Sequence, residues 1–208
     1  MVKPDETASF DASTAASGED RQRRRFLLRA TGAVGGLCAL AAAYPFVASM
    51  EPSERAKAAG APVEARTGGL AVGELRVVAW RGRPVWILRR GPQMLEELTR
   101  HDNLLADPDS RASEQPAYCH NAGRSIKPEY FVAVGVCTHL GCSPTLRLDR
   151  GSEELGAGWP GGFFCPCHGS KFDLAGRVFK SVPAPVNLEI PPHRYLADST
   201  LVIGVDQT

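Results

Sequence analysis

The stretches CTHLGC (137–142) and CPCHGS (165–170) decide how this chain is read. They hold four of its six cysteines and two of its five histidines. Taken as ligands, Cys137 and His139 come from the first box and Cys165 and His168 from the second, so each loop supplies one thiolate and one imidazole. Cys142 and Cys167 remain, one in each box, and in an exported domain the economical reading of that pair is a disulfide joining the loops. Zinc suits a set of two cysteines and two histidines, but zinc fingers place both cysteines first; the order here disfavours a finger and leaves zinc as a competitor. A 2Fe-2S cluster accounts for more. Two irons need four terminal ligands, and neutral imidazoles in place of two thiolates on one iron remove negative charge and raise the reduction potential.

The compartment is read from the N-terminus. Residues 30–50 carry no charge, whereas Arg21, Arg23, Arg24, Arg25 and Arg29 crowd the entrance and Glu51 marks the exit. Such a run is roughly 32 Å long as a helix, enough for a hydrocarbon core of about 30 Å. The arginines on the entry side put the N-terminus in the cytoplasm. Arg23 and Arg24, followed by Arg25, Phe26 and Leu27, resemble a twin-arginine export signal. Because that route carries folded proteins, it predicts a cofactor inserted before crossing. ALAAAY (39–44) offers small residues of the kind a signal peptidase accepts, but the apolar run is longer than the roughly 7–15 residues of a cleaved signal. An uncleaved anchor is the expectation.

The 208 residues suffice for one domain plus such an anchor, and 24 basic against 23 acidic residues leave no electrostatic footprint for nucleic acid. Residues 51–69 are rich in Ala, Gly and Pro and read as a flexible tether. From Leu70 onward short strands are predicted in ELRVVAW, VWILRR, YFVAVGV, TLRLD, NLEI, RYLA and TLVIGV, a predominantly antiparallel β domain. One helix is predicted in PQMLEELTR, with Pro92 near its first turn and Met94, Leu95 and Leu98 on one face. The polar stretch 102–128 reads as a surface loop or insertion.

The two boxes resemble the cluster-binding boxes of the Rieske iron-sulfur proteins, in order, in the extra cysteine pair and in the trailing Gly-Ser. The basic-flanked anchor and VPAP (182–185) make the chain similar to the Rieske subunits of bacterial cytochrome bc1 complexes, from Arg23 to the C-terminus. The resemblance implies a mainly β fold: an N-terminal transmembrane helix plus an antiparallel β-sandwich Rieske domain with an inserted cluster-binding subdomain. It divides the chain into a cytoplasmic tail at 1–25, an anchor at 26–50, a tether at 51–69 and a periplasmic domain at 70–208, with the cluster-binding part at about 136–186. One 2Fe-2S cluster is implied, with Cys137 and Cys165 on the inner iron, His139 and His168 on the outer iron, and Cys142 paired with Cys167. Leu140 is implied at the docking tip. Ser170 is implied to donate its hydroxyl to a cluster sulfide, and Pro183 and Pro185 to brace a loop packed across the cluster.

The family's chemistry is implied with these residues. His168 and His139 would face ubiquinol at the cytochrome b quinol site, taking one electron with a proton, and the electron would pass to a membrane-bound cytochrome c. The partners implied are cytochrome b, the cytochrome c subunit, ubiquinol and the membrane, within a dimeric complex of the bacterial inner membrane; the subunit alone would have no turnover. Phe172 departs from the tyrosine that many relatives carry, and losing that hydroxyl predicts a lower potential. Two alternatives stand beside this: the Rieske subunit of another exported oxidoreductase such as an arsenite oxidase, and a membrane-tethered, zinc-stabilised binding module. Cys38 and Cys119 are expected to be inert, and His101, His120 and His193 have no assigned role.

Overall fold

The computed structural model describes residues 18–53 and 60–207. The chain divides into two units, Met1–Ser53 and Glu54–Thr208. In the first, helix α1 (Gly18–Ala48) carries the arginines and the apolar run together, so it begins inside the stretch expected as a cytoplasmic tail. Residues 20–48 are long and apolar enough to cross a membrane, and their side chains are almost all exposed, as a helix facing lipid requires. Pro45 lies inside the helix, where a bilayer tolerates it better than water does.

The second unit holds strands β1 (Val63–Arg66), β2 (Leu75–Trp80), β3 (Arg83–Arg89), β4 (Tyr130–Val134), β5 (Thr145–Arg147), β6 (Gly162–Cys165), β7 (Ser170–Phe172), β8 (His193–Ala197) and β9 (Thr200–Ile203), with helix α2 at Pro92–Leu98. They form three antiparallel sheets, ordered β2-β3-β4, β1-β9-β8 and β5-β6-β7. The β2–β3 hairpin closes with Trp80 opposite Arg83, through Arg81 and Gly82, both at positive φ (51° and 72°), the geometry that two-residue hairpin turns demand.

Strand β3 explains the layering. Val85, Trp86, Ile87 and Leu88 are all buried, and a strand sends alternate side chains to opposite faces. Val85 and Ile87 join Ala65, Val132, Val134, Leu201 and Ile203 in one core, shared with the β1-β9-β8 sheet. Trp86 and Leu88 join Phe131, Ala133, Phe163 and Phe172 in the other, which also takes in Cys137 and Cys165. The first core makes the sandwich, and the second fastens the cysteine-bearing sheet to its back.

The differences from expectation have local causes. Val63–Arg66, inside the stretch read as a tether, pairs with β9 as an edge strand. NLEI (187–190) is not a strand: Leu188 N donates to Gly176 O, Ile190 N to Glu114 O, and Glu189 O accepts from Val134 N, so its backbone serves three separate segments. Strands β6 and β7 went unpredicted because each is short and abuts a ligand box. The stretch 102–128 is packed rather than superficial: it has 3-10 turns at Asp102–Leu104 and Ala117–Cys119, and Leu105, Cys119 and Arg124 are buried.

Candidate metal centre

Both boxes are closed by the same local device. Gly141 N donates to Cys137 O at 3.0 Å and Gly169 N donates to Cys165 O at 2.9 Å, and both glycines adopt positive φ (82° and 79°) that side-chain-bearing residues avoid. Box one leaves the end of β4, with Cys137 N bonded to Cys142 O at 2.7 Å and Thr138 Oγ1 donating to Val186 O at 2.7 Å. Box two is the connection of the β6–β7 hairpin, in which Cys165 lies opposite Ser170. Two five-residue turns therefore present a cysteine at their first position and a histidine further along.

The turns converge. Cys142 and Cys167 form a disulfide across a sequence separation of 25, with Cα atoms 6.7 Å apart. The sulfurs of Cys142, Cys165 and Cys167 lie within 4.8 Å of one another, but two of them are spent on that bond, so this trio is not a metal site by itself. Cys137 and Cys165 are free thiols, 3% and 2% exposed. Burial pushes the Cys165 thiol up, while backbone N–H groups of Cys167 and His168 aim at its sulfur and favour the thiolate. The His139 and His168 rings stand edge to face with centroids 4.8 Å apart. His139 Nδ1 is buried without a hydrogen-bond partner. A buried imidazole nitrogen facing no donor or acceptor is the arrangement a metal ligand needs, and two buried sulfurs with two imidazoles are the donor set that a mixed-ligand iron-sulfur cluster takes.

The surroundings of the boxes are less predictable from sequence. Leu140 is 72% exposed at the tip of box one, and His168 is exposed in box two. Ser170 is fully buried, and its Oγ accepts the Ala184 N–H at 3.1 Å. Pro183 and Pro185 are exposed, so the contact between the VPAP loop and box two runs through the buried Ala184 instead. Immediately after β7, Asp173 is fully buried, its Oδ1 accepting the Ala175 and Arg177 amides and its Oδ2 the Arg177 Nε at 2.8 Å. Burial opposes its ionisation, but His101, Arg177 and the Arg177 amide hold its carboxyl below the usual range. His101 Nε2 stands 3.6 Å from Asp173 Oδ2, too far for a hydrogen bond. The Asp-to-Arg spacing of four in DLAGR (173–177) was the only sequence signal for this support. Cys119 is buried, its thiol pushed up to about 11 by desolvation, and Cys38 lies exposed on α1.

A domain with this architecture and paired Cys/His turns is of the Rieske class. The family profile described as "Rieske [2Fe-2S] domain" matches residues 112–192, and one described as "Ubiquitinol-cytochrome C reductase Fe-S subunit TAT signal" matches residues 13–53. The ubiquinol-cytochrome c reductase iron-sulfur subunit of Allochromatium vinosum is 58% identical over 192 residues, 92% of this chain and 93% of the relative. The subunit of the same name from Bradyrhizobium diazoefficiens is 37% identical over 192 residues, 92% of this chain and 99% of the relative, and that of Rhodospirillum rubrum is 36% identical over 200 residues, 95% and 98%. The chain belongs to the family of ubiquinol-cytochrome c reductase iron-sulfur subunits. It carries a Rieske-type 2Fe-2S cluster, and its export signal and the one helix among the described residues that is long and apolar enough to cross a membrane match a single-pass inner-membrane topology with a periplasmic head. The arsenite-oxidase-like and zinc-module readings find no support among these relatives.

Proposed function

We propose that Cys137 and Cys165 hold the inner iron and His139 and His168 the outer iron of the cluster, in a subunit that takes one electron and one proton from quinol. The chain is the electron-transfer subunit of a bc1-type quinol-cytochrome c reductase, a redox part of a respiratory complex and not an autonomous enzyme. The observation that carries the ligand assignment is the buried, unpaired Nδ1 of His139 beside a second imidazole, on the two turns that also hold the free buried sulfurs of Cys137 and Cys165. Once bound, the cluster supplies one-electron chemistry at a potential raised by its neutral imidazole ligands.

The chain's own residues do the rest. With Nδ1 of His139 buried, the opposite nitrogen is the one available to a hydrogen-bonding partner. The exposed His168 ring would accept the proton that a quinol hydroxyl releases as its electron leaves, on the ring nitrogen not used as a ligand. Leu140, 72% exposed between the ligand His139 and the disulfide, offers an apolar contact that excludes water where the head meets cytochrome b. Membership of such a complex implies cytochrome b, cytochrome c and quinol as partners; ubiquinol as the quinol, delivery to a membrane-bound cytochrome c and a dimeric assembly are part of this proposal. Box one and box two are tied by the Cys142–Cys167 bond, so the ligand pairs from different parts of the chain stay in register.

The test is electron paramagnetic resonance and iron analysis of membranes with ascorbate-reduced protein. Cys137→Ser and His168→Gln should abolish the mixed-ligand signal while the polypeptide persists in the membrane, and Cys119→Ser should leave it intact. A wild-type signal surviving in either ligand variant would sink the assignment.

A further inference from the structure

Two buried cations sit behind the second box with no carboxylate in direct contact; Asp173, and Asp107 for Arg124, act on them only from beyond ion-pair distance. Arg90 is 2% exposed and Arg124 fully buried. Arg90 donates to Pro128 O, Gly123 O, Leu174 O and Ser125 Oγ, at 2.8–3.1 Å. Arg124 donates to Gln115 Oε1 at 2.7 Å, to Ala175 O and Gly176 O at 3.1 and 3.3 Å, and to Leu188 O at 2.7 Å. Every one of these acceptors is neutral. The third buried guanidinium, Arg177, is different: it is paired with Asp173 and Asp102. Among the described residues neither Arg90 nor Arg124 has an acid within ion-pair range, and burial lowers both to about 10, so both stay charged at neutral pH.

Capping backbone carbonyls does not by itself call for a charge. An amide side chain satisfies carbonyls at a smaller desolvation cost, and an unpaired buried charge is among the most expensive features a fold retains. What distinguishes the location is its neighbour. Arg90 and Arg124 cap the three successive carbonyls of Leu174, Ala175 and Gly176, in the turn that leaves β7. Ser170 at the start of β7 lies opposite Cys165, and three residues of extended chain at about 3.3 Å each separate Ser170 from Asp173. Phe172, Leu174 and Ala175 belong to the same buried core as Cys137 and Cys165, so the surroundings are dry, with the Asp173–Arg177 pair as the charged groups between them.

We propose that Arg90 and Arg124 are tuning residues for the cluster, two fixed positive charges that stabilise its reduced, more negative state and so raise its reduction potential. The inference rests on the four-ligand reading above. Reduction adds one negative charge at the ligand boxes, and each guanidinium attracts it through a dry interior. At a separation on the order of 10–15 Å, the scale set by that stretch of strand, and an effective dielectric near 20, one unit charge changes the equilibrium constant for reduction by about tenfold. For a one-electron couple that is a shift of about 59 mV.

Gln115→Glu isolates the charge from the packing. It gives Arg124 an ion-pair partner at the position of its present acceptor, and it replaces Gln115 Nε2, a buried donor that has no partner. The midpoint potential, from redox titration followed by electron paramagnetic resonance on membranes with the full-length chain, should fall by about tenfold in the reduction constant, with unchanged line shape and undiminished thermal stability. Asp173→Asn removes the buried anion of the same turn and should move the midpoint upward. Because the new carboxylate also lowers the midpoint by its own charge, the arginine is read from Arg124→Lys, which keeps the cation, against Arg124→Gln, which removes it: a purely structural role predicts that both move the midpoint alike, whereas tuning predicts a fall in Arg124→Gln alone. An unmoved midpoint in Gln115→Glu, or equal midpoints in Arg124→Lys and Arg124→Gln, overturns the proposal. The ligand reading is judged separately, by loss of signal in Cys137→Ser.

Discussion

Replacing Arg177 with methionine should unseat the turn behind the second box, and the cost can be worked from its contacts. The guanidinium is 1% exposed and donates to Asp173 Oδ2 and Asp102 Oδ1, both at 2.8 Å, and to the carbonyls of Leu98 and Pro108. Asp102 is half exposed and can turn to water, whereas Asp173 is sealed in and keeps the two amides on Oδ1 and His101 Nε2 3.6 Å from Oδ2. Removing one partner of a buried pair costs about 3–5 kcal/mol, because the remaining charge stays desolvated. With about 2–4 °C of melting temperature per kcal/mol for a chain of this size, the midpoint should fall by roughly 6–20 °C. The double variant with Asp173→Asn should lose less than the sum of the singles, by a coupling on the order of 2 kcal/mol.

Acid adds a second check. The depressed Asp173 carboxyl contributes stability that is complete above the ordinary carboxyl value near about 4 and is lost as the pH falls through its lower folded value. In Arg177→Met the carboxyl loses its guanidinium and its pKa rises, so it protonates earlier on acidification and sheds its burial penalty. The gap between parent and variant should be widest near neutrality and close below about pH 4. Thermal melts followed by circular dichroism on the detergent-solubilised full chain measure both. A loss under about 1 kcal/mol, or a gap that does not change with pH, would refute the reasoning.

Opening the disulfide by Cys142→Ser with Cys167→Ser releases a loop of 25 residues, and loop-closure entropy predicts about 3.5 kcal/mol of lost stability in chemical denaturation. Phe172→Tyr, at a fully buried site in the same core as both free cysteines, adds a hydroxyl; if it strengthens by ~1 kcal/mol on reduction, redox titration should show a rise of ~40 mV, and an unchanged or lowered midpoint would count against it. Gly135→Ala would place a methyl group 2.2 Å from the Trp86 ring just before box one, and the overpacking should cost about 1–3 kcal/mol in the same denaturation assay.

Much of the candidate site was legible because the chemistry proposed for it is local. Each box carries its cysteine, its histidine and its turn glycine within a few residues, so the donor set could be read without a fold. The β2-β3-β4 sheet was legible for a related reason: VVAW, VWIL and YFVAV are runs that only a strand buried on one or both faces explains. What escaped depends on partners distant in the chain. Arg90 reads as a surface residue until residues 123, 125, 128 and 174 close around it. Ser170 was singled out, but Ala184, the source of the amide it accepts, was hidden between two more conspicuous prolines. NLEI has the alternation of a strand and no neighbour in register, so its backbone groups were claimed one at a time.

The double-sided burial of β3 sets the tolerance of the whole head to error in assembly. Moving β3 by one position against β4 would turn Trp86 toward the slot shaped for Val85 and Ile87, and would bring those smaller side chains under Phe163, so a single slip spoils two interiors at once. Trp86 stacks on Phe163 with ring centroids 4.7 Å apart, and Phe163 is two residues ahead of Cys165 in β6. Correct pairing in the scaffold therefore also aims the hairpin that carries the second Cys/His box, and an error of one position in the scaffold is carried straight into that box.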